Sequence, residues 1–213
     1  MQYPNPFKTG LLACASAALI VILAGCRTAQ TQPSNSGASS PSPTTSTPAP
    51  PSEAAHLPIP AHILAGYETD MDLQGVKWIH GSSFFADGSV IERPDIAIET
   101  NARSGPAAIY KAERYSMTKF SYGPIENGDY IVKLHFCETF EGITENGGRV
   151  FSYTVKGDGP EVKDFDVFAT AGGALKPVVK TVPVTVTGHK VEIEFVPQVE
   201  NPQINAIEIS RKD

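Results

Sequence analysis

The sequence has few cysteines, and this scarcity limits how the fold can be stabilised. Its 213 residues include only Cys14, Cys26 and Cys137. The first two lie in an amino-terminal segment that resembles an export signal, so Cys137 stands alone in the rest of the chain. An internal disulfide is therefore excluded there, and the folded part must rely on its apolar core.

The chain also lacks several signatures of nucleic-acid binding and catalysis. Its formal charge is −6, and no cluster of Lys and Arg occurs, which argues against a nucleic-acid partner. No two of the five histidines have the spacing of zinc ligands, and no Gly-x-Ser-x-Gly motif is present. We therefore expect no metal site, no cofactor and no enzymatic activity.

The first 26 residues resemble the signal segment of bacterial lipoproteins. Lys8 precedes an apolar run over residues 10–23, and the segment ends in Leu-Ala-Gly-Cys at Cys26. The run is too short for a convincing membrane span, and no second run is long enough. The resemblance to a lipobox implies cleavage before Cys26 and lipidation of that cysteine. The alternative is an ordinary cleaved signal with a chance cysteine.

Residues 27–60 differ sharply in composition from the rest of the chain. They are dominated by Ser, Thr, Pro, Gly and Ala. Such a segment has too little apolar surface to fold, and its prolines favour an extended spacer. The sequence thus predicts a disordered tether between the lipidated cysteine and a domain at 61–213. Arg27, in place of the aspartate often associated with inner-membrane retention, favours the outer membrane or cell surface.

Residues 61–213 show the period-two alternation of β-strands. In residues 190–195, Val191, Ile193 and Phe195 alternate with Lys and Glu. Further strands are predicted at 63–67, 109–113, 119–123, 129–136, 149–156, 178–186 and 203–209, with one short helix at 166–171. Turn sequences such as Asn-Gly-Gly at 146–148 separate these strands. The pattern predicts an all-β fold, an antiparallel β-sandwich or jelly roll.

Four segments of this region resemble motifs of malectin domains, in the same order along the chain. They are residues 109–115 (IYKAERY), 128–138 (GDYIVKLHFCE), 149–151 with 163–167 (RVF and KDFDV), and 201–209 (NPQINAIEI). The resemblance implies a malectin-like β-sandwich of galactose-binding-like architecture. It also implies carbohydrate binding, in the animal members to glucose disaccharides on glycans.

The resemblance also implies which side chains would hold a sugar. Pyranose rings stack on aromatic faces, and their hydroxyls hydrogen-bond to carboxylates. Tyr115 matches the aromatic residue that ends one motif, Phe140 and Glu141 match an aromatic pair, and Glu200 matches an acidic position. Phe84, with Phe85 as an alternative, loosely matches a tyrosine. Each of these residues has a purely structural alternative, either as a packed aromatic ring or as a solvated carboxylate.

Other residues near these motifs are interpreted as structural. Trp78 is expected in the core. Glu113 and Arg114 are expected to tie neighbouring strands through an arginine–carboxylate pair. Glu138 is interpreted in the same way, with the alternative that it merely ends a strand at the sheet edge.

The sequence therefore predicts a lipid-anchored carbohydrate-binding module, at the cell surface or in the periplasm, for glucose-containing oligosaccharides. Its predicted partners are a carbohydrate and, through the lipid, a membrane. The alternative is a non-catalytic adhesion or assembly domain with a protein partner. Exposed aromatic side chains near Glu200 would favour the sugar, and a broader apolar patch would favour the protein.

Overall fold

The computed structural model describes residues 55–213, which form an all-β domain. The predicted signal segment, Cys26 and most of the predicted tether lie outside the described residues. Of the tether's last residues, Leu57 and Ile59 pack against the core, and the carbonyl of Pro58 accepts a hydrogen bond from Tyr122 Oη at 2.8 Å. None of the helices in this part of the chain has the length and apolar character needed to cross a membrane.

The described residues contain thirteen strands and two short helical segments. The strands are β1 (Ala61–Leu64), β2 (Met71–Leu73), β3 (Val76–His80), β4 (Ser89–Glu92), β5 (Ala112–Tyr115), β6 (Lys119–Tyr122), β7 (Gly128–Cys137), β8 (Val150–Val155), β9 (Glu161–Phe165), β10 (Pro177–Val186), β11 (Val191–Val199), β12 (Gln203–Ile204) and β13 (Ala206–Arg211). A 3-10 helix spans Ala107–Tyr110, and the α-helix α1 spans Val167–Ala171.

Two larger sheets enclose the core, and a third, smaller sheet adjoins them. The six-stranded sheet has the order β10-β7-β13-β1-β3-β2, and the four-stranded sheet has the order β6-β11-β8-β9. Alternate side chains of β7, from Tyr130 to Phe136, and of β11, from Val191 to Phe195, are buried in one shared core. The predicted sandwich is confirmed, although β1 and β3 pair in parallel.

The third sheet has the order β12-β5-β4, and it corrects two of the predicted strands. The strand predicted at 109–113 is a 3-10 helix followed by β5. The Ile109 amide donates to the Pro106 carbonyl and the Lys111 amide to the Ala108 carbonyl, both at 3.1 Å, which closes the 3-10 turns. The strand predicted at 203–209 is interrupted at Asn205. The Asn205 side chain donates to the Ala112 carbonyl at 2.8 Å, so the chain passes there from the third sheet to the six-stranded sheet.

The helix predicted at 166–171 is present as α1. The carboxylate of Asp166 accepts a hydrogen bond from the Ala169 amide at 2.9 Å and thereby caps the first turn. Gly172 ends the helix with a φ of 73°, a left-handed conformation that glycine adopts without steric cost. Phe168 lies on this helix and is half-buried.

A polar chain is buried beside Trp78 in the six-stranded sheet. His135 Nε2 lies 2.8 Å from Glu208 Oε1, and His135 Nδ1 lies 2.8 Å from Tyr110 Oη. The hydrogen bond from His135, with the charge of Lys133, lowers the pKa of Glu208 to about 2. Trp78 is 3% exposed, as predicted for a core residue.

Candidate functional site

Three of the five predicted site residues line one pocket. Tyr115 ends β5, Phe140 lies in the loop after β7, and Glu200 lies in the turn between β11 and β12. Together with Ile91, Arg93, Glu113, Arg149 and Asn201 they enclose about 260 Å³, which we call the Tyr115 pocket. Typical pockets for drug-sized ligands hold about 300–1,000 Å³, so this volume suits a ligand about the size of one sugar ring.

A fourth predicted residue, Glu141, lies immediately next to this pocket. It lines a second pocket of about 760 Å³, which we call the Phe168 pocket. The two pockets share Ile91, Arg93 and Phe140, so they form one continuous concave surface. Glu141 is exposed there.

The structure does not bring Phe84 to either pocket. Its ring is half-buried and packs against Tyr122 and Phe120 of β6, with centroid distances of 4.9 and 6.3 Å. The alternative, Phe85, is 8% exposed and packs against Phe120 with the Arg114 guanidinium over its ring. Both rings are used in packing, because the 81–88 segment runs along β6 and pairs with it at Phe85.

The third sheet positions Tyr115. Tyr115 pairs with Ser89 of β4 on one side and with Gln203 of β12 on the other. This pairing fixes the backbone on both sides, and Tyr115 remains partly exposed at the end of its strand. A partly exposed aromatic ring on a fixed backbone provides a flat apolar face that a ligand can reach.

One arginine–carboxylate pair forms part of the base of the Tyr115 pocket. Arg93 Nη1 donates to Glu113 Oε1 at 3.1 Å and to Thr139 Oγ1 at 3.0 Å. Thr139 Oγ1 donates to Glu113 Oε2 at 2.9 Å. Glu113 is 2% exposed, so its charge is neutralised within the protein.

A second buried pair lies beside the first. Arg149 Nε donates to Glu138 Oε2 at 2.7 Å, and Arg149 Nη1 donates to the carbonyl of Asn201. The Phe140 amide donates to Glu138 Oε1 at 3.0 Å. Burial raises the pKa of Glu138, although Arg149 and the Phe140 amide oppose this shift. We call Arg93, Glu113, Glu138, Thr139 and Arg149 the floor of the site.

The floor corrects one structural prediction and agrees with another. Glu113 pairs with Arg93, whereas Arg114 donates to the carbonyls of Ala65 at 3.1 Å and Gly88 at 3.2 Å. Neighbouring residues of a strand point to opposite faces, so Glu113 and Arg114 serve different contacts. Glu138, interpreted like Glu113 as a member of an arginine–carboxylate pair, is fully buried and paired with Arg149.

Glu200 is exposed at the rim of the Tyr115 pocket. Its φ is 56°, a left-handed conformation that is uncommon for residues other than glycine. Glu113 and Glu138 are bound by the floor arginines. Glu200 and Glu141, which are exposed at the rim, are therefore the carboxylates that remain able to accept hydrogen bonds from a ligand.

The carboxylates of the site form two groups, one bound by arginines and one exposed. Glycoside hydrolysis needs a pair of carboxylates that flank the scissile bond. Here the oxygens of Glu113 and Glu138 are engaged by arginines, and Glu141 and Glu200 are exposed. Residues 55–213 also contain no group of three or more His, Cys, Asp or Glu side chains arranged to hold a metal ion.

Sequence reasoning missed the arginines of the floor and the apolar wall of the pocket. Arg149 is the first residue of one malectin-like motif, and this position could have indicated that it belongs to the site. Ile91 lies in β4, and Arg93 directly follows that strand. The alternation did not reveal β4 because its residues are mostly exposed.

The comparisons with known proteins agree with this fold. A family model described as "Malectin domain" matches residues 67–208. A probable LRR receptor-like serine/threonine-protein kinase of Arabidopsis thaliana is 38% identical over 93 residues, which are 41% of this chain and 9% of that protein. The chain thus spans a small part of this curated relative, and the match does not cover its kinase domain.

Two solved structures share the fold at low identity. A chain of the crystal structure of plant peptide RALF23 in complex with FER and LLG2 has a TM-score of 0.60 at 18% identity, over 70% of this chain and 47% of that chain. The ANXUR1 extracellular domain from Arabidopsis thaliana has a TM-score of 0.59 at 17% identity, with the same coverage of both chains. Given the family match across two thirds of its length, this chain belongs to the malectin domain family.

Proposed function

We propose that this protein is a non-catalytic carbohydrate-binding module and that the Tyr115 pocket is its sugar site. The observation that carries the proposal is that Tyr115, Phe140 and Glu200 line a single pocket. Phe140 is 40% exposed, although large apolar side chains are usually buried. An exposed aromatic ring beside a free carboxylate is the combination that a pyranose requires.

In this proposal each residue has a defined role. Tyr115 and Phe140 offer ring faces to the C–H groups of the sugar. Glu200 accepts hydrogen bonds from vicinal hydroxyls, and Glu141 does so at the adjoining edge. Glucose-containing oligosaccharides are the proposed ligand class, in line with the resemblance to malectins. Binding of one small sugar is expected to be weak, because its hydroxyls exchange water for protein at little net gain.

We further propose that the domain is exported and held at a membrane by a lipid on Cys26. The support is the lipobox-like ending of the first 26 residues, together with the extracellular location named for the ANXUR1 relative. Radiolabelled palmitate incorporated by the wild type and not by a Cys26→Ser variant would support this anchor. Equal labelling of both would contradict it.

Titration calorimetry of the protein with maltose tests the sugar site. Tyr115→Ala is expected to weaken binding by about tenfold, since the stacking surface is lost, and Glu200→Gln is expected to weaken it by several-fold. Tyr115→Phe keeps the ring and should bind nearly as the wild type does.

Glu161→Gln is a matched control for Glu200→Gln. Glu161 is an exposed carboxylate on β9 and lines neither pocket. Unchanged maltose affinity in Tyr115→Ala would remove the Tyr115 pocket as the site. No binding of any glucan by the wild type on a glycan array would contradict the proposed function.

A protein partner is the second candidate. Val196 and Val199 on β11 are 55% and 45% exposed, and Val199 directly precedes Glu200. The FER structure that shares this fold holds the peptide RALF23 and a second protein, LLG2, in one complex. A pull-down that recovers one protein through the wild type and not through a Val196→Asp, Val199→Asp variant would favour this candidate.

A further inference from the structure

The Phe168 pocket adjoins the proposed sugar site but differs from it in chemistry. Its apolar lining comes from β4 and the segment after it, the loop after β7, α1 and the segment after α1, through Ile91, Ile96, Phe140, Ile143, Phe168 and Leu175. Its volume is about 760 Å³, against about 260 Å³ for the Tyr115 pocket. Phe140 and Ile91 line both pockets and are 40% and 38% exposed, so a continuous apolar surface leads from one pocket into the other.

The polar groups of the Phe168 pocket are poorly suited to a second sugar ring. Arg93 and Thr139 are both hydrogen-bonded to Glu113 and to each other. Glu141 and Thr144 are the other polar side chains of its lining. A pyranose buried there would leave most of its hydroxyls without partners, and an unpaired buried hydroxyl is costly.

A peptide backbone finds no donor at two points of this wall, because the amides of Ile143 and Leu175 are already used within the protein. The Ile143 amide donates to the Phe140 carbonyl at 3.0 Å, and the Leu175 amide donates to the Glu138 carbonyl at 2.9 Å. Peptides bound in extended form obtain much of their affinity from such main-chain hydrogen bonds. An apolar group needs no such donors, and it is the kind of ligand that the largely apolar lining favours.

We propose that the site binds a glycoside with an apolar aglycone. The sugar ring that carries the aglycone occupies the Tyr115 pocket, the aglycone lies in the Phe168 pocket, and any further ring extends toward solvent. This inference rests on the proposed sugar site and defines the ligand class further. The aglycone passes over Phe140, which contacts the sugar on one side and the apolar group on the other. Its burial against Ile96, Phe168 and Leu175 supplies the affinity that the sugar alone lacks.

Calorimetry with a matched pair of ligands tests this inference on the full-length protein. The ligands are maltose and hexyl maltoside, the latter kept well below its micelle-forming concentration, and hexanol serves as the aglycone alone. The wild type should bind hexyl maltoside at least tenfold more tightly than maltose, which is the gain expected from burying about two methylene groups. Hexanol alone should bind more weakly than hexyl maltoside.

Ala174→Trp fills the Phe168 pocket from its wall and should abolish the preference for hexyl maltoside while leaving maltose affinity unchanged. Ile96→Gln, at a half-buried position of the same wall, should reduce the preference and serves if the first variant does not fold. Equal affinity of the wild type for both ligands would overturn the inference and leave the sugar site standing. A preference that persists in the folded variants would place the aglycone elsewhere and also overturn it.

Two further outcomes separate this inference from the proposed function. If hexanol binds as tightly as hexyl maltoside, the pocket takes apolar groups independently of the sugar, and the inference is overturned. If neither maltose nor hexyl maltoside binds, the proposed function itself fails.

Discussion

Removal of the Arg149 side chain should destabilise the domain strongly, because it leaves the Glu138 carboxylate buried without a cation. Arg149 contributes Nε at 2.7 Å and Nη2 at 3.5 Å to this carboxylate, and Glu138 has no exposed surface. In Arg149→Met the Phe140 amide remains as a donor to Glu138. Breaking a buried ion pair on one side costs about 3–5 kcal/mol, which lowers the melting temperature of a domain of this size by roughly 6–20 °C.

The pH dependence of this variant provides a second, independent measurement. Burial already raises the pKa of Glu138, and loss of the guanidinium raises it further. The folded state then binds a proton at a pH where the unfolded chain has released it, so the free energy of unfolding falls as the pH rises above the unfolded value of about 4.5. The defect of Arg149→Met should therefore be smaller at pH 5 than at pH 8.

Differential scanning calorimetry at both pH values measures this effect. The double variant Arg149→Met, Glu138→Leu removes both charges and should recover much of the stability, which a double-mutant cycle quantifies. Arg103→Met, at an exposed arginine, is the matched control and should melt as the wild type does. A melting temperature of Arg149→Met within about 2 °C of the wild type, or a defect that does not change with pH, would refute this reasoning.

Three further predictions concern other described residues. The lowered pKa of Glu208 contributes stability that is present above about pH 4.5 and is lost as the pH falls toward 2. Acid unfolding of Glu208→Gln should therefore depend less steeply on pH in that range. An acid transition equal to that of the wild type would contradict the assigned role of His135. Burial raises the pKa of the Cys137 thiol to about 12, so a thiol reagent at pH 8 should not modify it until the protein is unfolded. Mass spectrometry of the Cys137 peptide measures this modification, and labelling in the native state would contradict the burial. A Cβ at Gly142 would lie 2.6 Å from Cε1 of Phe140, so Gly142→Ala should rotate this exposed ring. The variant should bind maltose several-fold more weakly at an unchanged melting temperature. Wild-type affinity would show that the position of the ring is unimportant.

The long strands could be predicted from the sequence because a strand that is buried on one face alternates apolar with polar residues. β7 and β10 pair along ten residues each, and their alternating Val, Leu, Tyr and Phe side chains enter the core. Strands β4 and β9 are mostly exposed and β2 has only three residues, so these strands carry little of this pattern. Alternation alone therefore does not reveal these three strands.

The sequence predicted only those site residues that lie in or next to a malectin-like motif. Tyr115, Phe140 and Glu200 come from segments that are far apart in the chain, and alternation alone gives no reason to bring them together. The pairing of Glu113 with Arg93 depends on how β4 lies beside β5, which is a tertiary contact without a local signal. Phe84 shows the converse, because a loose match to a motif predicts a site residue while the fold uses this ring to cover β6.

The floor contacts the rim of the site through backbone atoms. Glu138 accepts from the amide of Phe140, and Arg149 donates to the carbonyl of Asn201, the residue after Glu200. Replacing the side chain of Phe140, Glu141 or Glu200 therefore leaves these anchoring contacts intact. Ligand preference in this domain can be re-engineered at the rim, for example by libraries at these three positions, with little risk to the scaffold that holds them.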